Sequence, residues 1–171
     1  KTAMAPFPMC PSCSREYHDS SDRRFHAQPN ACFECGPSVW LADSGGTVLC
    51  RGDEAVGKCS ALLDEGRIIA VKGIGGFHIA CTPFSDEVVA RLRQRKGRKD
   101  KPFAVMASSI EEAERMAHIP ASARELMLSP RKPIVLCCRR AEYPLSDLVA
   151  PGQKTVGILL PYSPLHHLIL E

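Results

Sequence analysis

Two cysteine pairs near one end of the chain, Cys10-Pro-Ser-Cys13 and Cys32-Phe-Glu-Cys35, constrain its fold more than any other feature. Each Cys-x-x-Cys puts two thiols on one tight turn, and the eighteen residues between the pairs are enough to fold one turn back onto the other. The expected product is one tetrahedral zinc site made by Cys10, Cys13, Cys32 and Cys35. Four thiolates fill the coordination shell and leave no position for water, so the zinc is structural, and His18 and His26 between the pairs are not ligands. A redox Cys-x-x-Cys would normally occur once, at a helix start, and not twice in a loop-rich arm. Residues 1–38 contain few aliphatic side chains, so the metal must supply much of their folding free energy.

Overall charge says little, since a net +3 over 171 residues does not argue for nucleic acid. Neither a signal peptide nor an apolar run of membrane-span length is visible, which suggests a cytoplasmic protein. With no export signal, the nine cysteines read as reduced thiols and metal ligands rather than a disulfide framework. The chain opens at Lys1 and stops in the apolar stretch Leu168-Ile169-Leu170-Glu171, so a fragment of a longer protein is expected.

Beyond the cysteines the pattern turns to α/β. Val39-Trp40-Leu41 and Thr47-Val48-Leu49 flank Ser44-Gly45-Gly46 and predict a short hairpin over 39–52. Asp53 is placed to cap a helix whose apolar face is Ala55, Val56, Cys59, Leu62 and Leu63, with Gly66 as its C′ residue. Arg67 to Lys72 reads as a buried strand and Ser85 as the cap of a helix carrying Val88, Val89 and Leu92. Pro102 to Met106, Pro133 to Cys138 and Thr155 to Leu160 are strand candidates. Ser109-x-x-Glu112 and Ser122-x-x-Glu125 have the form of capping boxes.

Several stretches carry possible chemistry. Gly52-x4-Gly57-Lys58 nearly spells a phosphate-binding loop, but Cys59 replaces the required hydroxyl and the segment fits a helix. Lys72-Gly73-Ile74-Gly75-Gly76-Phe77-His78 follows a strand, where α/β sheets bind ligands. Lys72 offers a cation, Gly75 and Gly76 close backbone approach, Phe77 a stacking face and His78 a hydrogen-bonding ring; a plain tight turn is equally compatible with the spacing. Arg91, Arg93, Arg95, Lys96, Arg98, Lys99 and Lys101 form a basic run that breaks at Gly97 before an apolar strand, suited to phosphates or polynucleotide. No aromatics interleave with it, so stacking of single-stranded bases is unsupported. Cys81, Cys137 and Cys138 read as strand cysteines, Cys81 and the latter pair as core packing rather than as nucleophiles. His166-His167 lie on the last helix, where one could face a pocket.

Taken together, Met9-Cys10-Pro-x-Cys13, Glu16-Tyr17, Asp22 to Pro29, Cys32-x-x-Cys35-Gly36-Pro37 and Lys72 to His78 resemble the HypF carbamoyltransferase family of nickel–iron hydrogenase maturation. Lys96-x-Arg98-x-x-Lys101-Pro102 and Leu160-Pro161-x-x-Pro164-Leu165-x-His167 extend the match. The resemblance implies a zinc-finger-like module over 1–38, a hairpin or linker over 39–52, and an incomplete YrdC-like domain over 53–171, mixed α/β with a twisted sheet and helices. It implies a nucleotide cleft holding Lys72, Gly75, Gly76, Phe77, His78, Lys96, Arg98 and Lys101. Phe77 takes the place of a tyrosine usual in YrdC-like domains, Lys72 that of a proline, and the threonines of that loop are absent. The implied activity makes carbamoyl-AMP from ATP, with Mg2+, and carbamate derived from carbamoyl phosphate, and then passes the carbamoyl group to a cysteine of a HypE partner through other domains. The alternative that the resemblance allows is a nucleotide or double-stranded RNA binding module without catalysis of its own.

Overall fold

The computed structural model describes residues 7–171; residues 1–6, assigned above to the zinc module, lie outside them. The chain divides into a first unit ending at Gly52 and a second, Asp53–Glu171.

The first unit opens with helix α1 (Pro11–His18), which grows directly out of the first cysteine pair. A helix was not expected there. Pro11 fits its first turn, where a missing N–H costs nothing and the fixed φ is already helical. The helix stops at Asp19, whose N–H donates to the Arg15 carbonyl at 3.0 Å. Turns carry the chain back to the second cysteine pair. The Asn30 side-chain amide donates to the Cys13 carbonyl at 2.9 Å, and Arg24 pairs with Glu16 at 2.8 Å. Strands β1 (Trp40–Ala42) and β2 (Val48–Arg51) then form the antiparallel hairpin, shifted by about one residue from the predicted runs. Its turn is shaped by Asp43, whose carboxylate accepts from the N–H groups of Gly45 and Thr47, both at 2.9 Å. Among the described residues of this unit, only Cys10, Cys13 and Cys50 are buried.

Helix α2 (Gly52–Asp64) leads into the second unit. It begins at Gly52, two residues earlier than an Asp53 cap would allow, so Asp53 is not a cap; Asp53 and Glu54 occupy the first turn, where carboxylates complement the positive end of the helix dipole. Gly66 ends it as expected, at φ +75, and a Cβ there would meet Val88 Cγ2 at 2.8 Å.

Strands β3 (Ile69–Lys72) and β4 (Phe77–Ala80) pair antiparallel in a two-stranded sheet of their own. Here the predicted buried strand is corrected. Only Val71 of β3 is buried, because the strand has one partner and no sheet on its other edge. Helix α3 (Asp86–Lys96) is capped by the Ser85 hydroxyl, which accepts from the Val88 N–H, and closes at left-handed Gly97. Strand β5 (Ala104–Met106) follows, then α4 (Ile110–Met116), with Ser109 accepting from the Glu112 N–H at 3.2 Å. A short strand β6 (Ala117–His118) precedes α5 (Ala121–Leu128). The second predicted capping box is wrong: the extended Pro120, at ψ 161°, is the N-cap of α5, and Ser122 lies inside the helix.

Strand β7 (Val135–Arg139), a 3-10 turn (Asp147–Val149), β8 (Thr155–Leu159) and α6 (Pro164–Leu170) complete the unit. The larger sheet has the order β5-β8-β7-β6, with β5 and β8 parallel and the other pairs antiparallel. Val105, Met127, Cys137, Val149, Val156 and Ile158 lie in the core that helices α4 and α5 close. The fold is therefore mixed α/β, as predicted, and a four-cysteine module precedes it in the chain.

Candidate nucleotide site and four-cysteine centre

The four predicted metal ligands converge. The sulfurs of Cys10, Cys13, Cys32 and Cys35 all lie within 4.8 Å of one another, with Cys10–Cys32 at 3.6 Å and Cys32–Cys35 at 4.0 Å. A tetrahedral ion with metal–sulfur bonds of about 2.3 Å requires sulfur–sulfur edges of about 3.8 Å, so this cluster fits zinc. Local structure assembles it from both sides. Helix α1 fixes the first pair, and Gly36 N–H bonding to the Cys32 carbonyl at 2.7 Å closes the turn of the second. Backbone N–H groups of Cys10 and Cys32 hold the Cys35 thiol down at about 6, while burial pushes that of Cys13 up. Four thiolates at this spacing repel one another, and a divalent cation among them removes that repulsion. His18 is engaged elsewhere, its Nδ1 lying 2.7 Å from the Ser14 carbonyl, and His26 stacks between Tyr17 and Phe25.

In the second unit the structure gathers Lys72, Phe77 and His78 around the β3–β4 turn. That turn is closed by the Gly73 N–H donating to the Gly76 carbonyl at 2.7 Å. The Lys72 ammonium lies 5.6 Å from the centre of the Phe77 ring, and Phe77 is exposed. Space around Gly75 and Gly76 is open. Gly73 is different. The His78 ring packs so closely that a Cβ on Gly73 would lie 2.5 Å from Nε2. The same Nε2 lies 2.8 Å from the Tyr162 hydroxyl. His166 stands edge-on to Tyr162 at 4.5 Å and to His78 at 5.6 Å. It is buried, and its Nδ1 has no hydrogen-bond partner. Burial lowers its pKa, and His78 and His167 push it the same way. Tyr162 and His166 were not singled out together from the sequence, because nothing local connects them to a turn over eighty residues away.

The predicted basic cations lie on a second segment. Lys96 is exposed at the end of α3, and Lys101 is exposed beyond it. Arg98 lies against the Phe103 ring at 5.2 Å and donates to the Pro102 carbonyl at 3.3 Å. Arg93 does not belong with them. It is 7 % exposed and turned inward. Helical spacing carries the signal for this, since position 93 continues the face of Val89 and Leu92. Arg91 is likewise committed, donating to the Gly66 carbonyl and pairing with Glu87. Among the described residues, no hydrogen bond joins the glycine turn to the basic segment.

Cys81 and Cys137 behave as packing, whereas Cys138, also expected in the core, is exposed, because successive strand residues face opposite sides of the sheet. Burial pushes the Cys81 and Cys137 thiols up, which disfavours the nucleophilic thiolate. Gly57 and Lys58 lie within α2, so the near-match to a phosphate loop has no loop to act in. Two shallow depressions flank α4, one lined by His118, Pro120 and Arg140, the other by Phe84, Glu111 and Arg115; neither contains a predicted nucleotide residue.

Residues 9–42 match the profile of the HypF finger, and residues 61–171 match that of the Sua5/YciO/YrdC family, which is described as telomere recombination. The carbamoyltransferase HypF of Rhodobacter capsulatus is 48% identical over 171 residues, covering all of this chain and 22% of that protein. The chain belongs to the HypF family. HypF2 of Cupriavidus necator is 42% identical over 171 residues, spanning 99% of this chain and 21% of its own length. The chain thus spans about a fifth of these HypF relatives. Two solved structures agree in fold. Full-length HypF in a phosphate- and nucleotide-bound form is 45% identical with a TM-score of 0.79, covering 99% of this chain and 22% of that one. HypF of T. kodakarensis is 43% identical with a TM-score of 0.82, covering 95% of this chain and 21% of that one. Sua5 of P. abyssi, at 18% identity and TM-score 0.62 over 70% of this chain and 36% of its own, shares the fold alone. Among the described residues, no helix is long and apolar enough to cross a membrane.

Proposed function

We propose that the chain is a part of a HypF carbamoyltransferase whose full-length protein activates carbamate with ATP, a reaction that this fragment alone does not carry out. In this reading carbamoyl phosphate is first hydrolysed to carbamate and phosphate. A carbamate oxygen then attacks the α-phosphorus of ATP, the bond from that phosphorus to the bridging oxygen breaks, and pyrophosphate leaves with carbamoyl-AMP formed. ATP arrives with Mg2+. Domains outside this chain transfer the carbamoyl group to a cysteine of a HypE-like protein.

The observation that carries the reading is the joint presence of a HypF-type fold, at TM-score 0.79 to a nucleotide- and phosphate-bound relative, and two chemically matched segments. One is the glycine turn with Lys72, Gly75, Gly76, Phe77 and His78; the other bears Lys96, Arg98 and Lys101. Charge builds on the phosphate oxygens during the transfer, and fixed cations and backbone donors stabilise that charge without reorganising. In this scheme Lys96, Arg98 and Lys101 contact phosphate. Phe77 offers an exposed ring for the adenine, and His78 a hydrogen-bonding group at the turn. The zinc module of residues 1–38, followed by the 39–52 hairpin, is structural, with Cys10, Cys13, Cys32 and Cys35 holding the ion. Residues 53–171 form part of the YrdC-like domain.

The test is carbamoyl-phosphate-dependent ATP–pyrophosphate exchange by the full-length protein. Exchange should fall by at least about a hundredfold in Lys96→Gln/Arg98→Gln, as expected for loss of phosphate-clamping charges. Wild-type exchange in that double variant would overturn the site assignment.

A further inference from the structure

One buried cation in the second unit has no part in the chemistry proposed so far. The Arg93 guanidinium is spent wholly on backbone carbonyls. Its Nε donates to the Leu148 carbonyl at 2.5 Å and Nη2 to that of Val149 at 3.2 Å. Nη1 faces the carbonyls of Arg98, Lys99 and Lys101 at 3.4, 3.1 and 3.3 Å. The Phe103 ring covers one face of the guanidinium, 4.8 Å away, and also carries Arg98 at 5.2 Å. No carboxylate pairs with Arg93 in an ion bridge among the described residues. Burying a charge without such a partner is costly unless its donors are satisfied, and here the backbone satisfies them.

The consequence follows from peptide planarity. In a trans peptide the N–H points opposite to the C=O of the preceding residue. With the Arg98 and Lys99 carbonyls drawn in to Arg93, the N–H groups of Lys99 and Asp100 point away from it. Neither N–H has an acceptor within the chain among the described residues, and both residues are exposed. Successive outward N–H groups beside cationic side chains make an anion-binding concavity.

We propose that Arg93 is the positioning residue of the phosphate site: by capturing the carbonyls of Arg98, Lys99 and Lys101 it fixes the basic segment so that the Lys99 and Asp100 backbone N–H groups serve as phosphate donors. The inference rests on the nucleotide reading above and adds to it two backbone donors and a residue that never touches the ligand. Lysine cannot replace Arg93, because a point ammonium lacks the planar fork that reaches five carbonyls at once.

Nuclear magnetic resonance on the chain with inorganic pyrophosphate as probe tests the donors. The Lys99 and Asp100 amide signals should shift on titration in the wild type and stay fixed in Arg93→Lys. Steady-state exchange by the full-length protein tests the positioning. Arg93→Lys should raise KM for ATP by about tenfold with kcat within about twofold, the loss expected for roughly one displaced phosphate contact. Arg95→Lys, exposed and without an ion pair among the described residues, should change neither. Melting temperature identifies folded variants. If Arg93→Lys does not fold, Arg93→Gln, which buries no charge, decides: a raised KM with Lys99 and Asp100 amides unmoved by pyrophosphate supports the proposal, and a wild-type KM overturns it. Unshifted amides in the wild type, or a folded Arg93→Lys with wild-type KM, also overturn it. If Lys96→Gln/Arg98→Gln loses ATP while Arg93→Lys does not, only the positioning role falls; if neither loses it, the nucleotide reading falls as well.

Discussion

The Tyr162 hydroxyl and His78 Nε2 meet at 2.8 Å across 84 residues of sequence. This contact ties the β3–β4 turn, otherwise a two-stranded ribbon with one buried side chain, to the segment that enters α6. Two-stranded ribbons are marginal by themselves, so a tether of this kind decides how firmly the glycine turn is held. Tyr162→Phe removes the hydroxyl and keeps the ring against His166. It should cost about 0.5–1.5 kcal/mol, the ordinary net worth of one hydrogen bond. Amide exchange over residues 73–78 should quicken, while exchange in the β5-β8-β7 core should not; equal exchange in both proteins would show that the tether does not hold the turn.

Gly73 is set by the same histidine. Gly73→Ala would place a methyl 2.5 Å from His78 Nε2, so the imidazole must swing away and give up Tyr162. Gly75→Ala and Gly76→Ala meet nothing within 4 Å and require no such move. Overpacking of this order costs about 1–3 kcal/mol where the neighbour is held. Thermal melts of the three variants check the contrast. Only Gly73→Ala should lower the midpoint, and its effect should shrink in a Tyr162→Phe background, where His78 is no longer tethered.

Much of this architecture is legible in the sequence because its signals are local. Ser85, Ser109, Gly66 and Gly97 announce helix ends through groups that act within three or four residues. The four cysteines announce their centre by spacing. What escapes is set at long range. Arg67 to Lys72 is apolar enough for a buried strand, but burial depends on partners, and β3 has only β4. Ser122 carries a capping pattern that Pro120 pre-empts by fixing the entry two residues earlier. Helix α1 is hidden because its first turn doubles as a metal knuckle. Arg93 looks like one more cation in a basic run, and only its helical phase with Val89 marks it as inward. Its five carbonyl acceptors come from two segments whose meeting no spacing rule foretells.

His166 should make the second unit acid-sensitive in a defined window. Burial lowers its folded pKa, with His78 and His167 adding to the effect, whereas in the unfolded chain it titrates at about 6.5. Below about that value the unfolded chain binds the extra proton and the folded chain does not, so stability is present above it and is lost as pH falls toward the folded pKa. His166→Asn, which cannot titrate, should flatten the stability–pH curve over this window relative to wild type. Denaturant melts between pH 7.5 and 5 measure it. Identical slopes in the two proteins would exclude His166 as the source.

Metal removal should divide the molecule along its chain. Among the described residues of the first unit the only buried ones are Cys10, Cys13 and Cys50, so two of its three interior side chains belong to the four-sulfur cluster and almost no apolar area remains to hold α1 in place. Structural zinc contributes apparent binding free energies of about 10–16 kcal/mol to small modules, far more than this unit can recover from packing. The second unit has its own core of Val105, Met127, Val156 and Ile158 and no ligand in the cluster. Chelation, or Cys13→Ser, should therefore abolish amide protection in α1 and release one zinc per chain by elemental analysis. Protection in β5, β7 and β8 should persist. If α1 stays protected after the metal is gone, the module folds by means other than its four thiolates; if β5, β7 and β8 open with it, the second unit depends on the zinc module and is not stable through its own core.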